Sequence, residues 1–403
     1  MKSSTSRRSF LKSSVAVPAA LVAGQTNAKA EETTSKPNST AVPTRKLGRN
    51  GPEVGMLSMG GLVKDHSPEY LELAWQRGIR YFDTALRYRR GESEQNVGAW
   101  IKKYPERRKD LFLVTKDPAA KGPELMLDSI DGRLEVLNTN YIDLYFLHGI
   151  GTKEHGKGSL EWPKSDRFRK VCEKLKESGK TKLVGFSCHD DALLEYLNAA
   201  ADGGFVDAIM LQYNTFFKKG DAFDQALDRC YDKGIGLISM KEMRPFANMP
   251  KQHPELEKKG LTSHQTLLQS VWSDERISSI CSAMETEQEI IENTEAARTY
   301  EKIEESARNA LQEIAMVPAL PMCPGCGPCR ELSPKMQYAF MDVSRYVNYY
   351  EKDGDTSARD LYANLPEEAK RYDQAELESL RDLCEFRVDY PEIAKRAKRY
   401  FIA

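Results

Sequence analysis

The stretch "LFLVTKDPAAKGPELMLDSIDGRLEVLNTNYIDLYFLHG", Leu111 to Gly149, decides the fold. Its two ends, "LFLVTK" and "YIDLYFLHG", are short, nearly continuous apolar runs carrying polar residues at their close, Lys116 and His148. Such runs fit parallel strands covered on both faces, and parallel neighbours need a crossover of about a dozen residues or more, which the middle of the stretch supplies. The same unit recurs outward between about Thr44 and Arg298: "VGMLSMGG" from Val54, "IRYFDTA" from Ile79, "LVGFSCH" from Leu183, "AIMLQYN" from Ala208, "IGLISMK" from Ile235 and "ISSICSAM" from Ile277. With the first two, these make eight runs, and eight such units predict an α/β fold of the (β/α)8 TIM-barrel type. An open doubly wound sheet is the alternative; no G-x-G-x-x-G turn opens a first unit to support it. Helix punctuation agrees: Ser67 can cap, Pro68 fits a first turn, and Gly78, Gly179 and Gly234 can take a left-handed stop.

In a barrel, functional groups gather where strands end. Asp83, Tyr88 five residues on, Lys116 and His148 do so in successive units and are predicted to share one mouth. Each alone reads as something dull: a cap, a half-buried aromatic, a surface charge, a core histidine. Together they read as a reaction centre.

"FDTALRYRRGESEQNVG", "LVTKD" and "DGRLEVLNTNYIDLYFLHG" closely resemble three signatures of the aldo-keto reductases, a resemblance that extends from Arg45 to about Ala297. It implies an Asp-Tyr-Lys-His tetrad matched by Asp83, Tyr88, Lys116 and His148. Hydride transfer to a carbonyl builds negative charge on oxygen, which needs a proton. Tyr88 is the implied acid, its pKa lowered by the Lys116 ammonium, with Asp83 holding that ammonium; His148 donates to the carbonyl oxygen or assists the proton transfer. For the cofactor, NADP or NAD, the resemblance points to Ser187 and Gln212 at the carboxamide, Tyr213 or the Met240–Lys241 pair at ring and pyrophosphate, and Glu292 and Asn293 at adenine. Two departures stand out. Cys188, followed by His189, replaces the usual asparagine, and Ala283, Met284, Glu285 and Glu289 stand where basic residues clamp a 2′-phosphate. Glu285 and Glu289 would repel that phosphate, which brings NAD level with NADP; their plainer reading is a helix start.

After Arg298 the pattern changes to charged amphipathic helices around "PMCPGCGPCRELSP", predicted as a helical extension over residues 301–403. This loop resembles the ferredoxin-like tail of a subset of aldo-keto reductases, C-x2-C-x2-C-x3-C-P, with Cys323, Cys326 and Cys329 in place and Ser333 in the fourth position. Three outcomes compete: an iron-sulfur cluster, 4Fe-4S or incomplete, completed by Cys384 or by the Ser333 oxygen; a remnant without metal; or a disulfide pair with one free thiol. A zinc site lacks a nearby histidine and a second C-x2-C. Cys172, Cys188, Cys230 and Cys281 read as ordinary core residues.

The chain opens with Arg7 and Arg8, then Phe10, Leu11 and Lys12, a short apolar run from Val15 to Gly24 and a small-x-small site at Ala28 to Ala30. Residues 1–30 read as a signal peptide that resembles the twin-arginine type, implying export machinery as a partner and a periplasmic or extracytoplasmic destination. Residues 31–44 read as a linker and 45–300 as the barrel. The apolar run is too short for stable membrane insertion. A net charge of -1 with 30% charged residues gives no basic field for nucleic acid.

The expectation is an exported oxidoreductase acting on a small carbonyl or sugar. Its dinucleotide would be retained and recycled by a second substrate, or recharged through the cluster by a redox partner. The loop "GIGTKEHGKGSLEWPKSD", with His155 and Trp162, suits a polar ligand. The rival readings are a non-catalytic barrel that binds or assembles, and an electron-transfer protein.

Overall fold

A computed structural model describes residues 41–61, 67–118, 122–190, 192–213, 215, 220–242, 260–316, 322–323, 340–371, 373–384 and 387–402. Strands β1 (Thr44–Lys46) and β2 (Glu53–Gly55) pair antiparallel as a hairpin. Arg45 ties this hairpin to the start of the last strand, donating to the carbonyls of Trp272, Asp274 and Ile277 at 2.9, 3.1 and 2.7 Å. Eight parallel strands then close a barrel in the order β10-β3-β4-β5-β6-β7-β8-β9. They are β3 (Leu57–Met59), β4 (Tyr81–Asp83), β5 (Phe112–Pro118), β6 (Ile142–His148), β7 (Thr181–Cys188), β8 (Ala208–Gln212), β9 (Gly236–Met240) and β10 (Ile277–Ser282). Each expected run holds its strand, so the (β/α)8 barrel stands. The first run divides, because Val54 and Gly55 belong to the hairpin and only Leu57–Met59 enters the barrel. Val42, expected in the linker, is buried in the layer between strands and helices.

Two apolar layers form because side chains alternate along each strand. Phe82, Leu113, Tyr145, Leu147, Val184, Phe186, Ile209 and Leu237 meet the surrounding helices, with Trp100, Ile130, Leu175, Leu197 and Trp272. Tyr81, Val114, Leu144, Phe146, Met210, Ile238 and Met240 fill the interior. The parity of the interior set continues to Asp83, Lys116, His148, Ser187 and Gln212. The alternation that packs the barrel thus also turns its polar strand ends inward.

The tail is helical, as expected, with helices Glu305–Met316, Phe340–Asp353, Ser357–Ala363, Gln374–Leu383 and Tyr390–Phe401. It has its own apolar cluster, including Cys323, Phe340, Val343, Val347, Tyr362, Leu377 and Ile393. From Thr40 onward barrel and tail form one compact unit. The expected signal peptide lies outside the described residues, as do Cys326, Cys329 and Ser333. No helix among the described residues is long and apolar enough to cross a membrane.

Candidate active site

The four expected residues come together. Lys116 lies at the centre: its Nζ donates to both Asp83 carboxylate oxygens at 2.5 and 2.6 Å, to the Thr84 carbonyl at 2.9 Å and toward the Tyr88 hydroxyl at 3.4 Å. Asp83 and Lys116 are 1% and 0% exposed, so the pair is out of reach of bulk water. The Tyr88 ring meets the His148 ring edge-on, with centroids 5.5 Å apart. Tyr88 opens a one-turn segment, Tyr88–Gly91, in which Arg89 and Arg90 take left-handed backbone angles. Gly61 lets the chain leave β3 past this site: a Cβ there would stand 2.4 Å from the Asp83 carbonyl oxygen and 2.8 Å from the Ser93 hydroxyl.

The electrostatics correct one expectation. Burial pushes the Tyr88 phenol above its ordinary pKa by more than the Lys116 ammonium pulls it down, and Asp83 adds to the rise. The reason is burial, since a phenolate inside the barrel loses the solvation by water that the phenol hardly needs, and Asp83 offsets part of what Lys116 gains. Burial works against the Lys116 ammonium, yet Asp83 outweighs it and keeps the amine protonated. His148 is held well below the ordinary histidine range by burial, then by Lys116, Arg87 and Lys241. Its Nδ1 is buried with no partner among the described residues. The site therefore rests with a protonated phenol, a closed ion pair and a neutral imidazole.

On the cofactor side, Ser187 and Gln212 end the adjacent strands β7 and β8, both buried and both on the interior parity. The Ser187 hydroxyl accepts from the Gly149 amide at 2.9 Å, locking the end of β6 to β7. Two neighbouring polar side chains at the floor of a donor-rich mouth fit an amide-bearing ring. Met240 lines the interior, and Lys241 just beyond it has φ +62, a left-handed angle that a lysine adopts at a cost. Tyr213 belongs elsewhere: its ring packs in the strand–helix layer and its hydroxyl donates to Asp274 at 2.8 Å. Asn293 donates to Ser282 at 3.3 Å, and the Glu292 carboxylate accepts from Gln288 at 2.8 Å. The plainer reading of Glu289 has substance: its carboxylate accepts the Glu285 amide at 2.6 Å while Thr286 caps the helix Glu287–Arg298. The helix start that would meet a 2′-phosphate is capped by the protein's own acid. In the loop after β6, the His155 and Trp162 rings pack against each other at a tilt, 5.4 Å between centroids.

The tail reaches this mouth, which sequence reasoning missed. Arg345 of the helix Phe340–Asp353 donates to Nδ1 of His189, just beyond β7, and to the Asp342 carboxylate. Lys241 donates to the Tyr349 hydroxyl at 3.0 Å. The signal was the spacing of Asp342, Arg345 and Tyr349, which puts them on one side of a helix; nothing in the sequence said which surface that side meets. Cys323 is buried and its amide donates to the Ser344 hydroxyl at 2.7 Å, and Cys384 is a free, half-buried thiol. Among the described residues no three His, Cys, Asp or Glu side chains are grouped to hold a metal ion.

The Aldo/keto reductase family model matches residues 53–317, stopping before the cysteine loop. L-galactose dehydrogenase of Arabidopsis thaliana is 25% identical over 296 residues, covering 66% of this chain and 91% of that protein. An aldo-keto reductase of Schizosaccharomyces pombe that carries NADP(+) in its name is 28% identical over 194 residues, 44% of this chain and 53% of that protein. Among solved structures, the holo form of an aldo-keto reductase from Bacillus halodurans superposes with a TM-score of 0.51 at 21% identity, over 68% of this chain and 96% of that one. That likeness bears on the barrel alone.

Proposed function

The chain belongs to the aldo/keto reductase family, an NAD(P)-dependent oxidoreductase class, and on that premise we propose that it interconverts the carbonyl and alcohol of a small sugar or aldehyde. The observation that carries this reading is the buried Lys116, clasped by Asp83 and 3.4 Å from the Tyr88 hydroxyl. When bound, the dinucleotide gives or takes the hydride; Ser187 and Gln212 are the residues that would hold its carboxamide. Tyr88 keeps its proton until charge builds on the substrate oxygen, then gives it up, and Lys116 stabilises the phenolate left behind. Neutral His148 positions the same oxygen through an N–H. A sugar substrate is supported by the resemblance to a galactose dehydrogenase, and NAD over NADP by the Glu289 carboxylate at the helix start.

Removing the Tyr88 hydroxyl tests the reading. Tyr88→Phe should lower kcat by about 10²- to 10⁴-fold while leaving the melting temperature near that of the parent. Full turnover in the variant would remove Tyr88 as the acid, and a parent without turnover would return the barrel to the binding-protein reading.

Export by the twin-arginine route and an iron-sulfur cluster are part of the proposal, resting on Arg7 and Arg8 with their signal layout and on the spacing of Cys323, Cys326 and Cys329. Iron and sulfide assays on protein purified without air decide the cluster, and the subcellular fraction that holds the chain decides export.

A further inference from the structure

The helix Phe340–Asp353 has two sides. Phe340, Val343 and Val347 join the tail's apolar cluster. Asp342, Arg345 and Tyr349 share another side, which meets the barrel mouth at two strand ends: Arg345 at His189 beyond β7, and Tyr349 at Lys241 beyond β9. Arg345 is 5% exposed, and a guanidinium is costly to bury unless it is paired and put to use.

The contact with His189 has a chemical consequence. A guanidinium only donates, so Nδ1 of His189 carries a lone pair and the neutral ring has its proton on Nε2. Arg345 Nε is buried without a partner among the described residues. His189 is held well below the ordinary histidine range by burial, then by Arg345, Lys241 and His148, so its ring is neutral. The carboxylates around it are committed: Asp342 to Arg345, Asp83 to Lys116, and Glu242 faces the Ser239 hydroxyl at 3.3 Å. Among the described residues, the Arg345 guanidinium and the Lys241 ammonium stand at this mouth with their N–H groups.

We propose that the tail helix and these two strand ends form an anion subsite, in which His189, Arg345 and Lys241 bind the carboxylate of the substrate, so that the enzyme acts on acidic carbonyl compounds of the sugar-acid class. A planar guanidinium N–H, an imidazole N–H and an ammonium suit a carboxylate. The assignment of a carbonyl substrate rests on the function proposed above; the subsite itself is a matter of binding.

The test is calorimetric titration of the full chain, saturated with NAD, with D-glucuronate and with D-glucose. The parent should prefer the uronate by about ten-fold or more, as loss of a charged hydrogen bond implies. The preference should collapse in Arg345→Met and in the double variant Asp342→Asn/Arg345→Met, which leaves no buried charge unpaired if the single variant misfolds. Arg345→Lys should retain part of it. Equal binding of the two sugars by the parent, binding of neither, or a preference that survives in the double variant overturns the subsite. A double variant that loses NAD affinity while keeping the uronate preference also overturns it, because the cations would then serve the dinucleotide's phosphates. Failure of the oxidoreductase reading would show separately, as absence of dinucleotide-dependent turnover in the parent.

Discussion

Two buried ion pairs meet at the mouth of this barrel, and they are built in opposite ways. Lys116 and Asp83 stand 33 residues apart on the neighbouring strands β5 and β4, so their pair exists only once the barrel has closed. Arg345 and Asp342 are three residues apart on one helix, so their pair forms with the helix and arrives at the mouth already neutralised. The first pair faces the reacting tyrosine, and the second faces His189. The difference separates two tasks that one active site must combine. Chemistry is held by contacts between strands far apart in the chain, while recognition, on the proposal above, is carried on a helix outside the barrel's strands.

Breaking the pairs should show this separation most strongly at Lys116. Lys116→Met leaves the Asp83 carboxylate buried and alone, a loss of about 3–5 kcal/mol in stability, together with loss of turnover. The matched change in the tail, Asp342→Asn/Arg345→Met, removes both charges at once and should cost less than about 1 kcal/mol. Denaturant unfolding of the two variants side by side measures both. Equal destabilisation would mean that the tail pair is as much a part of the barrel's folding as the catalytic one, and the separation would be lost.

The sequence was legible where a local pattern has only one spatial solution. Eight apolar runs with helical spacers left little besides a barrel, and strand parity then carried Asp83, Lys116 and His148 inward without further information. Tyr213 misled because its position in the chain follows a strand end, while its ring is claimed by the strand–helix layer and its hydroxyl by Asp274, 61 residues away. The Tyr88 acidity misled for a different reason: the Lys116 charge was legible, but the burial that outweighs it exists only in the closed barrel. Arg345 was invisible as a site residue because docking of a helix depends on the shape of the surface beneath it.

Acid should strain the mouth at both histidines. His148 and His189 have folded pKa values below the ordinary value of about 6.5, so the unfolded chain binds more protons than the native one beneath that pH. Their contribution to stability is complete above about pH 6.5 and is lost as the pH falls. The melting temperature should therefore drop between about pH 6.5 and 5, and His189→Phe should flatten part of that slope. A slope unchanged in His189→Phe would place the acid sensitivity elsewhere and weaken the case that the tail's cations hold this ring neutral.

The smallest effect is expected at a carboxylate that meets no cation among the described residues. Glu289 is exposed, and its bond to the Glu285 amide completes a helix start in the usual manner, so Glu289→Gln can keep the hydrogen bond and lose only the charge. Screening by salt limits what one exposed charge can do at a rim, in contrast to the enclosed pairs at Lys116 and Arg345. The parent should use NAD better than NADP, and the variant should narrow that ratio of kcat/KM by about two- to five-fold at low ionic strength, less in salt. A ratio that does not move would assign the cofactor choice to the absence of a cationic clamp alone, leaving the acidic cap as a helix stop with no part in recognition.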